Sequence, residues 1–403
     1  MTAELVRHAS VTGSAGEHAL QHHLAERLQD AGCAVDLWPL DLADLATRPG
    51  FPGWEAPRHA GWGVVGELTG SADGPTVVLN AHVDVVPPGD LDQWTGAPFE
   101  ARHDTGPDGR EAVFGRGACD MKGGLVAVLA TLDQLRAEGL PRRGRVVVMP
   151  VVGEEDGGLG TFATLARGHR GDVAVIPEPT SCDIVCANAG ALTFALTVPG
   201  LAAHGGSRHH GVSALEKLWP LMRALDGLEA ERNVHIDPLL AHVAVPYAIS
   251  VGKVQAGEWA SMVPDVLVAE GRFGVRLDED VDAARAALTG AVERACAADP
   301  WLAAHPAMVK FTGGQFGSGR TAPDDPLVQV LAGAHRARTG ADPRVHGAPY
   351  GSDLRLLAGA GIPTVHYGPG AITSAHAPDE WVPVEEIALS AAVLTDLVRT
   401  YCD

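Results

Sequence analysis

A chain of 403 residues with fifty acids against thirty bases, a formal charge of −20, repels nucleic-acid phosphates and anionic membrane surfaces, which excludes both as expected partners. Its 46% hydrophobic and 20% charged residues exclude a disordered chain, and the length suffices for a large core in two domains. Six scattered cysteines (Cys33, Cys119, Cys182, Cys186, Cys296, Cys402) include no C-x-x-C pair and suit neither a disulfide framework nor a thiolate zinc site; with no signal-peptide core and no membrane-length apolar run, a soluble cytoplasmic protein is expected.

Apolar positions at helical spacing predict a helix over 15–31, "AGEHALQHHLAERLQDA". "PTVVLNAHVDVV" (75–86) is nearly continuous apolar, as in a strand covered on both faces. A helix over 123–139, the strand "RVVVMPVV", a helix over 159–167 and a short strand over 172–178 follow. Strands separated by helices predict crossover connections and a mostly parallel sheet. After about residue 188 the pattern changes to longer strands ("ALTFALTVPG", "YAISVGKVQ", "VLVAEGRFGVRL") with helices near 212–228 and 280–298. From about 314 the first style returns, with a helix over 326–339, a strand over 362–368 and a closing helix from about 384. The expected organisation is an α/β domain formed by 1–187 and 314–403, its mostly parallel mixed sheet flanked by helices, interrupted by a smaller α+β domain over 188–313.

Five stretches carry groups able to do chemistry. In "NAHVDVV", His82 and Asp84 stand two apart on a strand pattern and so leave the same face, near the carboxyl end where open α/β sheets place their sites. The plain alternative is a hydrogen-bonded core histidine. In "GRGACDMKGG", Asp120 precedes a helix among glycines that permit close approach of another group, although an N-cap would look the same. "GEEDGG" places Glu154, Glu155 and Asp156 after a core strand, where neighbouring acids repel unless solvated or matched by cations. "IPEPTS" ends a strand at Glu178 between two prolines, and "TSAHAPDEWVP" puts His376 in a loop before the last helix.

Two histidines and several carboxylates, mostly at strand ends or in the loops that follow, are nitrogen and oxygen donors without thiolate. That set suits zinc, manganese or cobalt, with zinc the usual occupant of hydrolytic sites. In a two-metal site the ions would sit roughly 3.5–4 Å apart. Three coordinating carboxylates and a hydroxide would balance two divalent cations, leaving a fourth carboxylate to handle protons.

These stretches, with "HVDVVP", "W...PF" (Trp94, Pro98, Phe99), "PEPT", "AAHGG" and "GPG…AHAPDE" in order from about residue 80 to about 380, resemble the motif series of the dinuclear zinc amidohydrolases. That group contains acetylornithine deacetylase, succinyl-diaminopimelate desuccinylase, aminoacylase and glutamate carboxypeptidase. The resemblance implies a catalytic domain interrupted by a lid or dimerisation domain, and a possible homodimer through that lid. It implies His82, Asp120 and Glu178 on one metal and Asp120, Glu155 and His376 on the other, with Asp120 bridging. Asp84 would orient the His82 ring, the peptide after Asp120 would be cis, and Glu154 would be the general base. Asp156 has no expected role beyond solvation. His204 in "LAAHGGS" would steady the oxyanion, against the plain reading of one surface histidine among eighteen. Arg276 would bind a substrate carboxylate, or be an ordinary strand-edge arginine. Gly351, Ser352 and Arg355 in "YGSDLR" would touch substrate.

The chain departs from the family pattern at "GEWASMVPD", where Trp259 and Ser261 replace an asparagine-containing stretch and leave the substrate's identity open. Three other readings compete. "GLGTFA" (158–163), with Glu178 about twenty residues on, fits a dinucleotide fingerprint, but the preceding acids would crowd a pyrophosphate. "HGGS" resembles a lipase oxyanion loop, yet no G-x-S-x-G elbow exists. A non-catalytic, metal-binding relative that has kept the scaffold is disfavoured, because the base is present together with all five presumed ligands. The expected function is hydrolysis of an N-acyl amino acid's amide bond, acetylornithine deacetylase-like, by a metal-activated water. Desuccinylation, or dipeptide or carboxypeptidase-type cleavage, is the alternative.

Overall fold

The computed structural model describes residues 1–402. Two compact units divide the chain. One comprises Met1–Ala187, Arg320–Gly347 and the residues from Ser352 onward; the other comprises Asn188–Gly319 and Ala348–Gly351. The insertion expected over 188–313 thus runs to Gly319 and takes up a second short piece. The cause is the strand Met308–Phe316, which pairs antiparallel with Gly190–Pro199 and carries the insertion's sheet past residue 314.

In the first unit the strands Thr76–His82, Arg145–Val151 and Val173–Ile176 are buried along their whole length, as their unbroken apolar runs require. Thr76–His82 lies parallel between the other two, with His82 opposite Val151. Thr364–His366 continues the parallel set beside Val173–Ile176. Antiparallel pairings flank it: Trp62–Thr69 and, beyond it, Ala34–Pro39 on one side, Ile184–Asn188 on the other. Among the described residues, nine strands make this mixed sheet. The chain leaves the middle strand through the helix Gly123–Glu138, reaches one neighbour, and returns through Leu159–Arg167 to the other. That reversal opens a crevice at the carboxyl edge, where such sheets bind ligands.

The second unit runs strand, helix, strand, strand, helix, strand. Its sheet order is Ile249–Ala256, Val266–Val275, Gly190–Pro199, Met308–Phe316, a split βαβ arrangement. Gly190–Pro199 alternates buried and half-buried residues, and Leu192, Phe194, Leu196 and Val198 meet Leu218, Leu221, Leu225 and Leu288 of the helices Ala214–Arg232 and Val281–Ala298. The α/β class and the α+β insertion read from the sequence are those of the structure. Among the described residues none of the six cysteines is in a disulfide and all are buried, and no helix is long and apolar enough to cross a membrane.

Close backbone approaches place the turn that carries Glu178. A Cβ on Gly124 would meet the Pro177 carbonyl oxygen at 2.0 Å, and one on Gly368 would meet it at 2.3 Å. Gly124→Ala must therefore displace main chain rather than a pliable side chain, and overpacking of this kind costs about 1–3 kcal/mol. The expected result is a lower urea midpoint than that of the unaltered chain; an unchanged midpoint would show that the turn yields freely.

Candidate metal centre

His82 is the last residue of its strand and is buried. Its Nδ1 lies 2.9 Å from the Asp84 carbonyl oxygen. A nitrogen facing a carbonyl donates, so Nδ1 holds the proton and Nε2 is aimed at the acidic cluster: 2.9 Å from Asp120 Oδ1 and 3.9 Å from Glu178 Oε1. The strand ends before Asp84, but the two side chains still lie near one another, as their spacing leads one to expect. Asp84 orients the ring through its main chain, with its carboxylate 3.8 Å away. That carboxylate instead accepts the Thr12 hydroxyl at 2.9 Å and the N–H groups of Glu154 and Glu155 at 3.2 and 3.3 Å.

The acidic loop is therefore gripped through its backbone while its side chains stay available. The Gly153 N–H donates to Glu17 Oε1 at 3.1 Å, and Glu17 forms a fully buried pair with Arg58, 2.5 Å at the shorter contact. Asp156 is buried rather than solvated: its Oδ2 accepts the N–H groups of Glu55 and Ala56 at 3.2 and 3.0 Å. Gly153, at φ +64, turns the chain in a way only glycine does without strain. With the backbone held, Glu154 and Glu155 turn to the cluster.

Asp120 sits where the loop Ala118–Lys122 enters the helix Gly123–Glu138, and the Asp120–Met121 peptide is cis. His376, at φ +61 in a loop, brings Nε2 to 3.0 Å from Glu155 Oε2 and 3.4 Å from Asp120 Oδ2. Donor atoms of His82, Glu154 and Glu178, and of His82, Asp120 and Glu155, converge within 4.8 Å of one another. The structure thus brings together all five expected ligands and the expected base.

The charge state shows what the cluster lacks. Burial drives Glu154 and Glu178 well above the carboxylate range, with Glu178 next in raising Glu154, and Asp120 next in raising Glu178. Burial and then Asp120 push Glu155 up to about 7. Burial also opposes ionisation of Asp120, yet hydrogen bonds from His376 and His82 overcome it and hold that carboxyl low. His376 is pushed up to about 11 by its hydrogen bonds to Asp120 and Glu155. His82 is raised although burial works against its charge, through the hydrogen bond to Asp120. The protein alone must fill the cluster with protons. Four carboxylates and two imidazoles asking for positive charge fit two divalent cations.

Other expected contacts fall elsewhere. The Ser352 hydroxyl is buried 2.9 Å from His366 Nε2. Arg355 donates to the carbonyls of Ser352 and Gly157 at 2.8 and 2.6 Å. Both brace the loops through these bonds. Gly351 is required by packing, since a Cβ there would meet Phe316 at 2.4 Å. In the second unit, His204 is exposed on a short ribbon opposite Met262, and its Nδ1 accepts the Gly206 N–H at 3.0 Å, leaving Nε2–H as a donor. Arg276 lies past the end of Val266–Val275 with its N–H on Glu279. Arg272, within that strand, is a deeper arginine: burial lowers its pKa, and its Nη2 donates to the Pro349 carbonyl at 2.7 Å. The sequence alone does not mark Arg272, Glu17, Arg58, Thr12, Arg116 and Glu380, although Arg116 and Glu380 stand within the metal motifs and Arg272 lies four residues before Arg276 in "GRFGVR".

The sequence profile of peptidase family M20/M25/M40 matches residues 78–400. The chain is 26% identical over 409 residues to N-formyl-4-amino-5-aminomethyl-2-methylpyrimidine deformylase from Halalkalibacterium halodurans, covering 95% of this chain and 88% of that protein. It is 28% identical over 419 residues to succinyl-diaminopimelate desuccinylase from Methylocella silvestris, covering 99% and 96%. A di-peptidase structure from Saccharomyces cerevisiae matches with a TM-score of 0.77 at 14% identity, over 100% of this chain and 95% of that one. A tripeptidase structure from Staphylococcus aureus matches with a TM-score of 0.74 at 19%, over 100% and 96%. At those identities the two structures speak to the fold.

The charge state sets a pH test. Glu17 is raised from 4.5 to about 7, by burial first and by Asp84 next, and Glu155 moves alike. A carboxyl whose folded pKa exceeds its unfolded value binds more protons when folded between the two, so stability falls as pH rises through that window. Asp120, held low, acts in the opposite sense only at more acid pH. The metal-free protein should thus lose stability from about pH 4.5 to about pH 7, and saturating divalent metal should remove the share of the slope that Glu155 carries while leaving that of Glu17, which is not a ligand. Urea denaturation of chelated and metal-loaded protein across this range checks it; identical slopes would contradict a cation-seeking cluster.

Proposed function

We propose, starting from the fact that the chain belongs to peptidase family M20/M25/M40, that it removes a short acyl group from the amine nitrogen of an amino-acid-like substrate. Metal-dependent hydrolysis of an amide bond is the activity at the level the family and its relatives carry. Acyl removal is favoured over peptide cleavage because a deformylase and a desuccinylase, by name, both release an acyl group, and both align along nearly the whole chain. Acetyl is the proposed acyl group, on an amine that retains its α-carboxylate.

The observation that carries this reading is Glu154: buried, raised well above the carboxylate range, and adjacent in the chain to a ligand it need not imitate. His82, Asp120 and Glu178 would hold one ion and Asp120, Glu155 and His376 the other, with zinc as the proposed metal and cobalt or manganese as substitutes. Bound there, two such ions would polarise the scissile carbonyl and bring the pKa of a bound water from about 15.7 toward about 7. Glu154 takes the proton from the attacking water and returns it to the amine nitrogen as the C–N bond breaks, which leaves a carboxylic acid and a free amine. His204, with Nε2–H as donor, is proposed to steady the oxyanion. An arginine of the Val266–Val275 region is proposed to receive the substrate carboxylate: Arg276 by motif position, Arg272 by its burial without a carboxylate partner among the described residues. The exposed edge strand Ile249–Ala256 is the proposed seam of a homodimer, expected as a doubled mass in light scattering.

Glu154 also lies within ligand distance of His82 and Glu178, so base and ligand must be told apart. Glu154→Gln is expected to keep both metal equivalents and to lower kcat by about 10²–10⁴; loss of one equivalent would make it a ligand, and unaltered turnover would remove it from the chemistry. A panel of N-formyl, N-acetyl and N-succinyl amino acids and dipeptides, each with zinc, cobalt and manganese, tests the substrate class. N-acetyl amino acids should turn over fastest; faster dipeptide cleavage would reverse the assignment.

A further inference from the structure

Glu380 is buried at the start of the strand Trp381–Pro383, and every acceptor site on its carboxylate is engaged by one short segment. Oε1 accepts the N–H groups of Cys119 and Asp120, each at 2.9 Å; Oε2 accepts the Gly117 N–H at 3.0 Å and Arg116 Nη1 at 2.6 Å. Arg116 is equally buried, and its guanidinium turns the other way as well: Nη2 donates to the His376 carbonyl at 3.2 Å and Nη1 to that of Ala377 at 3.4 Å. Trp94 covers it, with its ring centroid 5.1 Å from the guanidinium carbon. One ion pair thus clamps the loop of Asp120 to the loop of His376, which lie far apart in sequence.

His376 needs such a clamp. His82 ends a strand paired on both sides, and Glu178 follows a strand whose turn is wedged by glycines. His376 has neither support: its side chain is 52% exposed and its backbone is left-handed, a conformation disfavoured for a non-glycine residue. A buried ion pair adds little net stability by itself, but it fixes geometry well when all its hydrogen bonds are made.

We propose that Arg116 and Glu380 are positioning residues that set the affinity of the metal position formed by Asp120, Glu155 and His376, with much less influence on the position formed by His82, Asp120 and Glu178. The proposal rests on the dinuclear reading given above. Arg116→Lys keeps the charge on Glu380 but cannot fork between a carboxylate and two carbonyls. Glu380→Gln puts an amide N–H₂ group against the donors of Gly117 and Arg116, or against those of Cys119 and Asp120.

The test is titration of the metal-stripped full chain with cobalt(II), following heat and visible absorption to resolve two dissociation constants, with the urea midpoint of each metal-stripped variant as a fold control. In Arg116→Lys the tighter constant should stay within about threefold of the unaltered chain, while the weaker one rises roughly 10- to 100-fold and its absorption band shifts or broadens. Glu380→Gln should do the same more strongly; if it fails to fold, Arg116→Lys decides alone. Two unchanged constants in folded Arg116→Lys, or two constants weakened by an equal factor, overturn the proposal. An unaltered chain that binds fewer than two equivalents overturns the dinuclear reading and the proposal with it, whereas an unaltered chain binding two with Arg116→Lys indistinguishable from it sinks the clamp alone.

Discussion

Like charge held out of water governs this molecule. Four carboxylates meet at the carboxyl edge of the parallel sheet, where burial opposes each one's ionisation and each opposes its neighbours'. No rearrangement of apolar packing removes that cost. It is met by protons in the bare protein and by cations in the working one, and the surrounding structure keeps the acids from escaping it by swinging into solvent. Hence the loop of Glu154 and Glu155 is held by main-chain hydrogen bonds to Glu17 and Asp84, which leave the acidic side chains no role except toward the centre.

This division of labour separates carboxylates that look alike in sequence. Glu154 and Glu155 face the cluster. Asp156, the next residue, points away to cap the N–H groups of Glu55 and Ala56. Asp84 and Glu380 never meet the metal position as donors; each spends its oxygens on N–H groups next to a ligand. A buried carboxylate that accepts several main-chain N–H bonds is a stiff support, because both of its oxygens are committed. Two of the acids in recognisable motifs are therefore supports, and the aspartate between Glu155 and two glycines is a third that works through one oxygen alone.

The ligands themselves were legible because each stands at the end of a continuous apolar run or in a glycine-marked loop, and the runs became the parallel strands. What depends on where a strand stops was not. The His82–Asp84 spacing brings the two side chains near one another, but it does not tell that the Asp84 carbonyl, at 2.9 Å, rather than its carboxylate, at 3.8 Å, is what reaches the ring. The buried state of Asp156 was hidden because its partners lie about a hundred residues earlier. Glu380 and Arg116 were visible as motif letters, but nothing local indicates that one accepts from the other across more than 260 residues of chain. Trp259 and Ser261 mark where sequence stopped informing the substrate, and Trp259 is strongly exposed, so its own packing adds no constraint.

The part of the chain outside the family profile carries a share of this support. The match begins at residue 78, after the strand that ends in His82 has already started. Thr12, Glu17 and Arg58 all precede it, yet Thr12 holds the Asp84 carboxylate, and the Glu17–Arg58 pair holds Gly153. The helix Ala15–Asp30 that bears Glu17 also sends Gln21 to the Pro150 carbonyl, on the strand leading into the acidic loop. Donors and base belong to the shared segment, while much of the force that keeps two glutamates from turning to water comes from the residues before it. A chain beginning at residue 78 would hold every ligand and lose the buried Glu17–Arg58 pair together with one of the three hydrogen bonds to the Asp84 carboxylate. On that physical ground the first 77 residues belong to the catalytic unit as much as the motifs do.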